Sequence, residues 1–271
     1  MDDFSIVFLP DTQIYCRDAT AYFSEQTTWI AAQQAALNIQ AVVHLGDVVD
    51  STLPAQWPVA TTATDILQAA NVPNYICVGN HDYDAGIIYD SDQFNANYPT
   101  TRYTGAGWWT GGFYEAGKTD NLWATLAIGG TTYLFLVLEY QPRVATLTWA
   151  NGILAANPGA VVIVCTHEAI GTSGSWFAAE KGLWDVIRQQ PNVVMVAAGH
   201  WPGEGSRWDT ANDCHVIHSW LADYQELENG GNGYLRILKV RPTTRQMTMQ
   251  TYSPSLDAYM EDADSQWSMA Y

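Results

Sequence analysis

Positive charge is what this chain has least of: 11 Lys and Arg stand against 28 Asp and Glu, a formal net charge of -17 over 271 residues. That balance argues against long nucleic acids and anionic membrane surfaces as partners, since both are held by basic side chains that neutralise phosphates. Cysteine is scarce too. The four, Cys16, Cys77, Cys165 and Cys214, form no Cys-x-x-Cys, so neither a disulfide framework nor a cysteine zinc site is expected. Cys77 and Cys165 lie inside apolar runs, as small core hydrophobes do, and pairing of Cys16 with Cys214 stays open. No apolar run approaches the ~20 residues of a membrane span, and Met1-Asp2-Asp3 is not a basic and apolar leader. A soluble protein is expected, cytoplasmic or secreted.

Several catalytic motifs are missing as well. There is no P-loop. Gly171-Thr172-Ser173-Gly174-Ser175 lacks the second glycine position of a nucleophile elbow, and His167-Glu168 lacks the second histidine of the metalloprotease motif.

What is present is apolar bulk. Hydrophobic residues make up 48% of the chain, enough for one large core, and residues 1–271 are expected to form a single domain. Ser5–Leu9, the run ending at His44-Leu45 and Asn74–Val78 read as buried strands. They alternate with helices over Ser24–Leu37, capped by Ser24, and Trp57–Ala70. That alternation is the pattern of a parallel sheet covered by helices. Residues 83–121, rich in Gly and aromatics without a clean period, read as an insertion or lid bordering the site. Beyond it, Leu122–Ile128 and Thr132–Leu138 flank a Gly129-Gly130 hairpin turn, and Ala160–Cys165 and Val193–Ala198 read as strands separated by helix. His215–Leu221, Gly233–Val240 and Gln246–Tyr252 look like three closing strands that suggest a second sheet.

The informative pattern is a recurrence at strand ends. Asp11 follows Phe8-Leu9, Asp47 follows His44-Leu45, Asn80 and His81 follow Cys77-Val78, His167 follows Val164-Cys165, and His200 follows Ala197-Ala198. Singly, each has an ordinary structural explanation, as a helix cap, a turn residue or a satisfied histidine. Together they put potential metal ligands five times in the crevice where open α/β sheets bind ligands, and a glycine (Gly46, Gly79, Gly199) precedes three of them.

Those residues carry a resemblance. Asp11-Thr12-Gln13, Gly46-Asp47-Val48-Val49-Asp50, Gly79-Asn80-His81-Asp82, Thr166-His167 and Gly199-His200 resemble, in order, the motif series of the calcineurin-like metallophosphoesterases. Leu138-Glu139-Tyr140, Asp223-Tyr224-Gln225 and Thr251-Tyr252-Ser253-Pro254 are similar to a bacterial subgroup whose first motif is Asp-Thr-Gln. The resemblance implies a four-layer α-β-β-α sandwich of two mixed sheets, with two divalent cations (Mn, Fe, Zn, Ni or Mg) at the strand C-terminal ends. It implies that Asp47 bridges the two ions, that Asn80, His167 and His200 complete the second site, and that Asp11 belongs to the first. Two of the family's histidines are replaced here, one by Gln13 and one by Pro202. A Gln carbonyl is a neutral oxygen donor and proline offers no donor, so a weaker first site is expected, completed by water, Glu204, His215 or His218, with water having the strongest claim.

The reaction this implies is hydrolysis of a small phosphodiester or phosphomonoester by a metal-activated water. The resemblance gives His81 the role of acid for the leaving group, with Asp82 or Asp50 orienting groups around it. Arg143 and Arg207 are candidates to clamp the phosphate, and Trp201 with Trp108, Trp109 and Tyr114 to form an aromatic wall. The alternative is a catalytically impaired metal-binding module on the same scaffold. Oligomeric state has no signature in the sequence.

Overall fold

A computed structural model describes residues 2–18 and 20–271. Among them, strands form two mixed sheets. In the first, β1 (Phe4–Leu9), β2 (Ile39–His44) and β3 (Asn74–Ile76) run parallel. β11 (Leu235–Arg241) pairs antiparallel with β1, and β12 (Gln246–Ser253) follows, its outer edge shared by β13 (Ala258–Met260) and β14 (Trp267–Ala270). The second sheet has the order β4 (Gly111–Phe113), β5 (Leu122–Ile128), β6 (Thr131–Val137), β7 (Val161–Cys165), β8 (Val193–Ala198), β10 (Val216–Asp223) and β9 (Gly203–Thr210). Its central strands β6, β7, β8 and β10 are parallel.

The alternation of side chains along β1 explains the layering. Phe4, Ile6 and Phe8 point into a core between the sheets, where they meet Tyr133, Phe135 and Trp220 of the second sheet. Val7 and Leu9 point the other way, into a core with Tyr15 and Cys16 of α1 (Gln13–Arg17), Phe23 and Ile30 of α2 (Tyr22–Gln33), and Ala60 and Leu67 of α3 (Trp57–Ala69). The outer face of the second sheet, Leu134, Val162 and Val196 among others, is covered by Leu147 and Leu154 of one helix, Val144–Ala156, and Leu183 and Ile187 of another, Lys181–Ile187. Strands buried on both faces must be apolar throughout, which is why they read as continuous runs. The expected four-layer sandwich is the observed one.

Two local expectations are corrected. Ser24 does not cap a helix: α2 starts earlier, at Tyr22, and Ser24 lies inside its first turn. The three closing strands do not make a sheet of their own, because β10 joins the second sheet while β11 and β12 extend the first. The four cysteines are free, Cys16 buried and Cys214 exposed.

Candidate metal centre

The five strand ends meet where the C-terminal edges of the two sheets face each other. Asp11, Asp47 and Asn80 come from β1, β2 and β3, and His167 and His200 from β7 and β8. Asp47 and His200 both hold left-handed backbone, φ +50° and +77°, strain of the kind that surrounding structure must impose and that clusters at functional sites. The glycines before the ligands leave the space the cluster needs. A Cβ on Gly79 would lie 2.2 Å from the Asp47 carboxylate, on Gly199 2.4 Å from the Asp11 carboxylate, and on Gly46 2.7 Å from the His167 ring.

His167 is the hub. It is fully buried, and its Nδ1 lies 2.9 Å from the Leu45 carbonyl, which can only accept, so Nδ1 carries a proton. Its Nε2 is 3.1 Å from Asp47 Oδ2, 3.1 Å from Asn80 Oδ1 and 3.1 Å from His200 Nδ1. One ring nitrogen has at most one proton to share among three acceptors. That surplus of inward-facing lone pairs, two imidazoles, a carboxylate and an amide oxygen, fits a divalent cation. Asp47, His167 and His200 can bring their ligand atoms within 4.8 Å of one another. Without an ion, burial disfavours the charged form of His167, but Asp47 and then Asp11 outweigh it and raise its pKa to about 10. Burial likewise pushes Asp47 up, and the His167 charge more than reverses it, so the carboxylate titrates below its ordinary range.

Orienting groups surround this hub. His200 Nε2 is 3.5 Å from Glu168 Oε1, leaving Nδ1 for the cluster, a second-partner arrangement typical of metal-binding histidines. Glu168 also accepts from Trp201 Nε1 at 2.9 Å and Gln141 Nε2 at 3.1 Å. The Tyr140 ring packs 5.7 Å from His167 and 5.3 Å from His200. Glu168 and Tyr140 were not among the sequence candidates. The signal was available only as their adjacency to His167 and to the Glu139 motif.

His81 sits at the rim. Its backbone N–H donates to Asp47 Oδ1 at 2.9 Å, and its Nδ1 donates to the Asp50 carbonyl at 2.7 Å, leaving Nε2 the free ring nitrogen. Asp50 acts through its main chain, and Asp82 binds the backbone N–H groups of Gly79 and Val49, at 2.8 and 3.1 Å, instead of His81. Burial and the nearby Asp47 raise the Asp82 pKa to about 7. A cavity of about 300 Å³ opens beside His81, lined by Asp50, Thr52, Asn80, Tyr83 and Gly86.

On the Asp11 side the arrangement differs. Asp11 accepts the His200 N–H through both oxygens, at 3.3 and 3.2 Å. Burial first, and then Asp223, hold its carboxyl well above the usual carboxylate range. Gln13 is buried beside it. Glu204 is engaged with other partners: it is tied to Arg236 in an ion pair and to Ser265 and Thr251 by hydrogen bonds. His215 bonds the carbonyl of Val193, at the opposite end of β8, and His218 is stacked 3.8 Å from Trp208.

The remaining candidates are engaged within the chain. Arg143 pairs with Glu139 at 2.8 Å, and Arg207 donates to Asp209 and to the Gly174 carbonyl. Trp201 stacks on Phe177, and Tyr114 packs on Trp149. Trp108 and Trp109 pack on Tyr103 against the inter-sheet core, so the expected aromatic wall is not assembled from them.

Two sheets with a candidate metal site at the facing strand ends define a class, and the comparisons agree. The chain belongs to the calcineurin-like phosphoesterases, whose family model matches residues 4–204. Among characterised folds it is similar to a purple acid phosphatase, PPD1, from yellow lupin seeds (TM-score 0.65, 13% identity, 99% of this chain and 54% of that one). It is similar too to a dimetal phosphatase from Danio rerio (TM-score 0.64, 12% identity, 99% of each chain). In sequence it is 30% identical over 269 residues to the uncharacterized protein YvnB of Bacillus subtilis, covering 93% of this chain. The chain spans about a fifth of that relative's length, 20%. No helix is long and apolar enough to cross a membrane among the described residues.

Proposed function

We propose that the chain hydrolyses a small or exposed phosphodiester or phosphomonoester using two divalent cations, with His81 as the acid for the leaving alkoxide. The observation that carries this reading is the convergence of Asp47, Asn80 and His200 on His167 Nε2, with His81 tethered to Asp47 at the mouth. Bound there, the ions would supply Lewis-acid polarisation of the phosphoryl oxygens and acidify an attacking water. His81 keeps Nε2 free by spending Nδ1 on the Asp50 carbonyl, so it can present a proton toward the cavity. Asp82 holds the two loops that carry Asp47 and Asn80 at a fixed separation. In this reading residues 1–271 act as one domain, with the segment 83–121 flanking the pocket through Tyr83 and Gly86. The acidity of the chain favours small substrates over long nucleic acids or membranes.

The test is hydrolysis of bis-p-nitrophenyl phosphate and p-nitrophenyl phosphate by protein stripped of metal and reloaded with Mn²⁺. His81→Ala is expected to lower kcat by ~10²–10⁴ while keeping the bound ions. One ion and no turnover with added Mn²⁺ would overturn the reading in favour of the impaired module that Pro202 raises.

A further inference from the structure

The Asp11 side has lost both histidines of the family pattern, and Glu204, His215 and His218 are held elsewhere. One acidic side chain is held there instead. β10 runs parallel to β8 with Leu221 opposite Ala198, so Asp223, two residues on, reaches the level of His200. Along its other edge Asp223 pairs with Gly203, the neighbour of Pro202. Asp223 is therefore a sixth strand-end donor and the third carboxylate among them, standing beside the proline that offers no donor, and it is 1% exposed. Pro202, Gly203, Glu204 and Asp223 line a neighbouring cavity of about 500 Å³, whose lining does not include Asp11, Gln13 or Asp47.

A second, independent observation concerns the amides. Asp223 accepts from the Gln225 main-chain N–H at 2.9 Å and from Gln225 Nε2 at 2.8 Å. A carboxylate only accepts, so it fixes which way the Gln225 amide points. The Gln225 carbonyl is thereby turned to the Gln13 amide nitrogen, which donates to it. That in turn leaves the Gln13 carbonyl oxygen free: it has no hydrogen-bond partner among the described residues, although the side chain is 4% exposed. A buried acceptor without a donor is costly, and here a relay of two amides produces it. The relay makes sense if that oxygen faces a cation.

Resting on the functional reading above, we propose that Asp223 and the Gln13 carbonyl complete the first metal position, with Gln225 as the positioning residue that aims both. The shell is then all oxygen: Asp11, Gln13, Asp47 and Asp223. Carboxylate and carbonyl oxygens suit hard cations such as Mg²⁺ and Mn²⁺, whereas the other position, with two imidazoles, suits softer ones.

The experiment titrates metal-free protein with Mn²⁺, following bound ions by calorimetry and electron paramagnetic resonance. The wild type is expected to bind two ions, the weaker displaced by excess Mg²⁺. Asp223→Asn is expected to weaken that ion by more than about tenfold and leave the tighter one unchanged; Gln225→Leu, which removes the amide relay without touching a carboxylate, about tenfold. Metal-free Asp223→Asn should melt at or above the wild-type temperature, because it relieves repulsion among buried acids, whereas a merely structural Asp223 would lower it. Unchanged Mn²⁺ affinity in Asp223→Asn, a single Mn²⁺ on the wild type, or a weaker ion that Mg²⁺ never displaces each overturn the assignment. Activity separates the two readings: unchanged affinity with hydrolysis intact sinks the Asp223 assignment alone. Asp223-dependent binding of two ions with no hydrolysis sinks the function alone.

Discussion

The two sides of the centre are built by different means. The His167 side draws its shape from imidazoles whose second nitrogens are already spent, on the Leu45 carbonyl and on Glu168, so its donors face inward whether or not an ion is present. The Asp11 side is a set of buried acids and amides in which burial and Asp223 hold the Asp11 carboxyl high and, among the described residues, the Gln13 carbonyl has no partner. Preorganised nitrogen on one side and waiting oxygen on the other should give two affinities, with Asp47 common to both.

The sharpest way to break this comparison is Asp47→Asn. It should abolish the weaker ion at micromolar Mn²⁺ and weaken the tighter one less, read as ions per chain by elemental analysis; equal loss of both would erase the asymmetry. Glu168→Gln should act on the opposite side, weakening the ion held by His200 by ~10–100-fold and sparing the other, measured by Mn²⁺ titration. Gly199→Ala puts a methyl against Asp11 and should cost about 1–3 kcal/mol in urea unfolding, with the Asp11-side ion weakened alongside. The smallest effect is a pH slope near the His167 side. Burial, and then Glu168, raise the pKa of Glu180 from 4.5 to about 8. The folded chain keeps that proton where the unfolded chain has released it, so stability falls as pH rises between those values. Glu180→Gln should flatten the slope in thermal melts across that range; an unchanged slope would remove Glu180 from the account.

How much of this was legible in the sequence follows the same division. The five strand ends were, because a strand buried on both faces is an unbroken apolar run, and a small residue followed by Asp, Asn or His at its end is a local pattern; the four layers came with the family resemblance those residues carry. Asp223 belonged to a noticed motif just past an expected strand, His215–Leu221, but that strand's place beside β8 comes from pairing between distant segments. The split of β10 from β11 and β12 was hidden for the same reason. Glu168 was read only as part of a failed protease motif, since its contact with His200 spans two strands. Trp108 and Trp109 looked like pocket residues because composition does not say which face an aromatic takes.

Asp82 joins two loops with one carboxylate, receiving the amide protons of Val49 and Gly79. Neither loop can lift away without abandoning that shared acceptor. Their exchange with solvent deuterium should therefore be a single event, with the Val49 and Gly79 amides showing a common rate that tracks the opening of the centre as a whole.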